Sequence, residues 1–161
     1  PWERQALLKL RAVAGGEAEV DLYGGYAGEV DDFGYDVGVI GYFYPKTEDS
    51  SFYEAYVNLA FEMLSAGLAY TFASEIDDGA FAQGDLYFYG AIGVDVFEDL
   101  SVGLTVGHYI FDEAEDADYT HGQLDITKST EFGDITLSGS LATEESGDDD
   151  LLVFVSWAYG F

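Results

Sequence analysis

Side-chain character alternates with period two through nearly the whole chain, in segments of about ten residues, and few folds accept that pattern. Ala18, Val20, Leu22, Gly24 and Tyr26 alternate with Glu19, Asp21 and Tyr23. Val37, Val39, Gly41 and Phe43 alternate with Asp36, Gly38, Ile40 and Tyr42. Tyr53, Ala55, Val57, Leu59 and Phe61 make one face of the next segment, and Glu54, Tyr56, Asn58, Ala60 and Glu62 make the other. Six more segments follow, around residues 66–72, 86–96, 100–110, 121–127, 135–141 and 151–161. Such segments read as strands, and nine of them fit between residues 17 and 161. No window is apolar for about 18 residues, so no membrane-spanning helix is written here.

The connections between these segments alternate in kind. Residues 30–32, 63–65, 98–99 and 132–134 are short turns, whereas 45–51, 75–83, 112–119 and 144–150 are longer and strongly acidic. Strict alternation places all the long loops at one end of an antiparallel, up-and-down sheet. A soluble sandwich would also alternate, with its apolar face inward. A transmembrane barrel reverses this, with an apolar band outside, a polar lumen, short periplasmic turns and long external loops. Strands of about ten residues exceed the soluble norm of about five or six. The chain also ends Ser156-Trp157-Ala158-Tyr159-Gly160-Phe161. A terminal Phe161 with Tyr159 and Trp157 before it is similar to the last strand read by the outer-membrane barrel assembly machinery. The expected fold is all-β: a transmembrane antiparallel up-and-down β-barrel of about ten strands, within eight to twelve, in the bacterial outer membrane. Lipid and lipopolysaccharide are then its surroundings, as monomer or homo-oligomer.

Composition sharpens this. The chain of 161 residues carries 32 Asp and Glu against 5 Lys and Arg, yet 48% of it is hydrophobic, with 13 Tyr, 12 Phe and 20 Gly. A disordered acidic chain lacks aromatics, and a nucleic-acid binder needs a basic face that so few cations cannot supply. Without Cys there is no disulfide or thiolate chemistry. In a barrel the acids have two destinations, lumen and loops. The inward candidates are Glu19, Asp21, Asp36, Glu54, Glu62, Asp85, Asp95 and Asp125. Rings of carboxylates favour cations, so the expected function is passive passage of small cations or small polar solutes. Tyr23, Tyr42, Tyr56, Tyr87, Tyr89 and Tyr109 share the inward face and narrow it. If they fill it, the barrel is closed and its acidic loops are the working surface. Tyr26, Phe43, Tyr53, Phe72, Trp157 and Tyr159, near strand ends, are expected in interface belts.

Three of the five cations, Arg4, Lys9 and Arg11, lie in the first eleven residues, and from residue 17 onward 31 acids face two cations. Residues 1–16 therefore form a basic segment distinct from the barrel of 17–161. Its middle reads equally as a strand, with Lys9 and Arg11 turned to the acidic lumen, or as a basic helix with Ala6, Leu10 and Val13 on one face. A start of Pro1-Trp2-Glu3-Arg4 holds no signal peptide, as expected of a cytosolic or a processed chain.

The run Glu19-Val20-Asp21-Leu22-Tyr23-Gly24-Gly25-Tyr26-Ala27-Gly28 resembles a motif of the TorF-type porins, also called the Gcw_chp family. So do Tyr35-Asp36-Val37-Gly38, Tyr42-Phe43-Tyr44-Pro45 and Tyr53-Glu54-Ala55-Tyr56-Val57, in that order. The resemblance spans residues 17–161. It implies an outer-membrane β-barrel with a porin role and no catalytic residues. Members carry further strands before the first motif, about twelve in all. Here residues 2–16 stand in their place without a matching motif, so the chain reads as a shortened relative or as one lacking strands.

Other chemistry is thinly written. His121 near Asp118 and Asp125 is the one His–Asp set, and with no second pair beside it the expectation is that the protein is not an enzyme. Asp112, Glu115, Asp116 and Asp118, and the run Asp148-Asp149-Asp150, are weak candidates for Ca²⁺ or Mg²⁺, without EF-hand spacing. No cofactor is expected beyond such loop ions.

Overall fold

The computed structural model describes residues 3–12, 18–147 and 149–158, with side chains from Val20 onward. Nine strands follow one another with every neighbour antiparallel: β2 (Ala18–Val30), β3 (Phe33–Phe43), β4 (Phe52–Phe61), β5 (Leu64–Ser74), β6 (Leu86–Phe97), β7 (Leu100–Ile110), β8 (Tyr119–Thr130), β9 (Gly133–Ala142) and β10 (Leu152–Ala158). β1 (Glu3–Ala12) pairs along β2 and makes the tenth strand of the same sheet. The basic segment is thus extended rather than helical, and the boundary expected near residue 16 lies outside the described residues. Among the described residues no pairing joins β10 back to β1. No described helix is long and apolar enough to cross a membrane.

The turns carry the expected alternation. Residues 31–32, 62–63, 98–99 and 131–132 are tight hairpin turns at one end. Residues 44–51, 75–85, 111–118 and 143–151 form the longer loops at the other. Asp31 turns the chain at a φ of 54°, a left-handed conformation that short polar side chains tolerate. Glu62 does the same at 52°. Glu62 was expected on the inward face of its strand; it lies instead in the β4–β5 turn, exposed. The two-residue turn takes the position that an extended count would give to the strand.

The sheet is strongly curled. Asp21 on β2 and Tyr119 on β8 line one cavity of about 500 Å³. In a flat sheet six strand spacings would hold β2 and β8 about 29 Å apart. Curvature therefore brings the inward side chains of distant strands together. Two irregularities accompany it: an extra residue in β5 opposite Tyr53 and Glu54, and another in β6 between Asp95 and Phe97. Such bulges bend strands and raise their local twist.

The two faces differ as period two demands. Leu22, Val39, Leu104, Val106, Leu124 and Leu137 stand on the convex face, each between about 47% and 52% exposed. Asp21, Glu54, Thr71 and Ser138, on the concave face, are buried. Among the described residues few apolar side chains are buried: Phe52, Ala82 and Phe111, all near the long-loop end. A water-soluble sheet of this size would bury its apolar face and leave its carboxylates out. Aromatic side chains gather at both edges of the convex face. Phe43, Tyr53 and Phe72 sit side by side at the long-loop edge, with centroids 5.7 and 6.4 Å apart. Phe33 and Phe61 pair at 6.1 Å at the turn edge. There Trp157 also donates its indole N–H to the Phe132 carbonyl at 2.8 Å.

Candidate functional site

The concave face is built on a repeated device in which a tyrosine lies flat over a glycine of a neighbouring strand. A Cβ at Gly38 would stand 2.7 Å from the Tyr56 hydroxyl, and one at Gly25 would stand 3.1 Å from it. A Cβ at Gly67 would meet Tyr89, and one at Gly107 would meet both Tyr87 and His121. Only glycine leaves this space, which accounts for Gly25, Gly38, Gly67 and Gly107 despite the cost of glycine in strands. Each ring so placed turns its hydroxyl to a polar partner. Tyr56 donates to Asp36 at 3.2 Å, and Tyr89 donates to Asn58 at 3.0 Å. The Tyr87 hydroxyl and His121 Nε2 lie 2.9 Å apart.

From the long-loop mouth inward, the lining changes character. The mouth is aromatic. Tyr42 stacks on Phe52 at 4.5 Å, Phe52 on Phe81 at 4.9 Å, and Phe81 meets Tyr109 and Phe111 edge-on at 5.8 and 5.6 Å. Tyr109 continues to Tyr119 at 5.0 Å. Aromatic pairs of this kind contribute about 0.5–1.5 kcal/mol each beyond their buried area. Phe81 comes from the β5–β6 loop rather than a strand, at a φ of 67°. The loop is tied back to β5 by Gly84 N–H to the Thr71 carbonyl and Thr71 N–H to the Asp85 carbonyl, both 2.9 Å. Asp85 also accepts the Asp112 N–H at 2.9 Å, which joins this loop to the next one.

Below the aromatic layer the lining is polar. Glu54 is 8% exposed, with the Tyr42 hydroxyl in hydrogen-bonding reach of its carboxylate. Asp21 is 3% exposed, and the strand register sets Lys9 across from it and Arg11 across from Glu19. Toward the turn end Asp125 accepts from Ser138 at 2.6 Å and from Gln123 at 3.0 and 3.1 Å, and the Thr127 and Thr136 hydroxyls meet at 2.8 Å.

Of the expected inward carboxylates, Asp21, Asp36, Glu54 and Asp125 thus share the concave face, and Asp85 closes its loop end. Asp95 keeps the inward register opposite Ser101, but there β6 has run past the end of β5 and the residue is exposed. The Glu19 side chain lies outside the described residues. His121 pairs with Tyr87 rather than with an aspartate, since the Asp118 carboxylate accepts the Phe111 N–H at 2.7 Å. His108, on the convex face, bonds Thr120 at 2.9 Å. Among the described residues no three carboxylates or histidines gather to hold a metal ion. Glu115 and Asp116 are exposed in a single 3-10 turn, Asp149 and Asp150 are exposed, and Asp148 lies outside the described residues. Tyr159 and Phe161 also lie outside them.

Sequence reasoning missed Phe81. Its signal was present: Gly79-Ala80-Phe81-Ala82 is an apolar break in an otherwise acidic loop.

A family model matches residues 5–151. The chain belongs to the Gcw_chp family. That family is described as bacterial proteins of unknown function. The match takes in most of β1, so the basic segment that lacked a recognisable motif lies largely within the Gcw_chp pattern, and the match stops before β10. No curated protein and no solved structure matches the chain.

Proposed function

We propose that this Gcw_chp chain is a β-barrel of the bacterial outer membrane, of the TorF porin type. In this reading its sheet closes around an acidic lumen that gives passive passage to small cations or small polar solutes. The observation that carries it is the sidedness of the sheet. An apolar convex face runs between two aromatic edges, while carboxylates and hydroxyls are turned to the concave side. Phe33 and Phe43 lie ten residues apart on one strand. That is about 34 Å along the strand, or about 25 Å of membrane normal at the tilt usual for such barrels, which matches the lipid band. The reading requires the sheet to close, since an open sheet edge in hydrocarbon leaves its backbone groups unpaired.

A second reading has its own support. The Phe52, Phe81 and Phe111 rings fill the long-loop mouth, with Phe52 and Phe111 almost fully buried. They favour a closed barrel whose acidic loops act at the cell surface, in contact with lipopolysaccharide. Planar-bilayer recording of the refolded full chain separates the two. Cation-preferring current supports the channel; a silent bilayer, or anion preference, overturns it.

A further inference from the structure

The cavity under the aromatic mouth has a lining unlike the rest of the concave face. Most of its wall is aromatic: Tyr42, Phe52, Tyr109 and Tyr119 converge from four strands, and Phe81 joins them from the β5–β6 loop. Its polar groups include the Glu54 carboxylate, 8% exposed, and Asp21. Among the residues whose side chains are described, from Val20 onward, no Lys, Arg or His lines it. At about 500 Å³ it falls within the size range of small-molecule sites.

The chemistry of that lining narrows the ligand. The Glu54 carboxylate disfavours anions. A hard inorganic cation needs about six oxygens around it, and no three acidic groups gather among the described residues. Aromatic rings beside a carboxylate suit a weakly hydrated, organic cation, which loses little hydration on entry and is attracted by both the ring quadrupoles and the charge. We propose that this cavity binds an organic ammonium ion, held by Glu54 and walled by Tyr42, Tyr109 and Tyr119. The proposal rests on reading the concave face as a path for solutes, and it names the class of solute that the path selects. Phe81, stacked on Phe52 at the mouth, then forms part of the site's roof.

Calorimetry on the refolded full chain in maltoside micelles tests this with choline, its uncharged isostere 3,3-dimethyl-1-butanol, and glucose. Saturable choline binding, with the isostere and glucose at least about tenfold weaker, is expected. Equal binding of the isostere or of glucose, or no choline binding, overturns the proposal without recourse to any variant. Glu54→Gln, checked for folding by its heat-dependent gel mobility, should weaken choline binding by about tenfold; unchanged binding also overturns it. The channel reading is scored separately by bilayer current. A chain that binds choline and carries no current loses the channel and keeps the site. One that conducts and does not bind choline loses the site alone.

Discussion

Tyr87 and His121 stack at a centroid separation of 5.7 Å, hydroxyl to Nε2 at 2.9 Å, over the bare backbone of Gly107. Three adjacent strands contribute one residue each, and the arrangement holds only while residue 107 has no side chain. Gly107→Val is therefore expected to force both rings aside, at a cost of about 1–3 kcal/mol. Gly90 is the control. It lies on the convex face, where an added Cβ meets nothing within 4 Å, so Gly90→Val should stay within about 0.5 kcal/mol. Urea unfolding of both variants in lipid vesicles measures the contrast, and equal costs would break the ring-over-glycine account.

The sidedness of the sheet can be tested at two successive residues. Val106 stands on the convex face near the middle of β7, and Thr105 beside it points to the concave side. If the convex face meets lipid, Val106→Arg should cost about 2–4 kcal/mol at the bilayer midplane. Thr105→Arg should cost less than half as much, because its guanidinium enters a lumen that holds Asp36 and Asp125. A soluble sheet would give the opposite ranking. Unfolding in vesicles reports both values.

The strands and the alternation of turns were legible because period two and turn chemistry are local properties. Even so, a one-residue count moved Glu62 from strand to turn. The pairing of Tyr56 with Asp36 and of Tyr87 with His121 was not legible. Each depends on the cross-strand register and on a glycine in the neighbouring strand, and no single segment carries that information. Phe81 was hidden for another reason. A lone aromatic in an acidic loop declares its partners only when the sheet curls and brings Phe52 and Tyr109 to the same end. His121 stands near Asp118 and Asp125 in sequence, yet both carboxylates are taken up by other donors and the ring pairs with Tyr87.

At the turn end, Asp99 in the β6–β7 turn accepts a hydrogen bond from the Lys128 ammonium, and that bond holds its carboxyl below the usual range. A carboxyl depressed in the folded state stabilises the fold at pH values above its unfolded pKa of about 3.9, and this contribution is lost as pH falls through the lower folded value. Both side chains are about half exposed, so the effect should be small and weakened by salt. Asp99→Asn should remove the part of the acid dependence that lies below about pH 4 and leave stability at neutral pH nearly unchanged. Unfolding midpoints of the two proteins from pH 3 to pH 7, at low and high salt, measure it.

The channel reading makes its sharpest claim at Asp36 and Asp125. Both lie on the concave face below the aromatic mouth, and both accept hydrogen bonds from neutral donors, Tyr56 in one case and Ser138 with Gln123 in the other. These described donors leave the charge in place, so each carboxylate contributes its field to a passing ion. In a water-filled lumen one unit charge at ~8 Å is worth about 0.5 kcal/mol, or roughly a twofold enrichment of cations. Anions are depleted by the same factor, so each carboxylate is worth about fourfold in the cation-over-anion permeability ratio, and Asp36→Asn with Asp125→Asn should lower that ratio by roughly sixteenfold if the two act independently. Asparagine keeps the shape and an acceptor for Tyr56 and Ser138, so folding should survive. The reversal potential across a tenfold salt gradient reads the ratio directly. A potential that stays where it was, in a double variant that still conducts, would remove the lumen carboxylates from any role in selection.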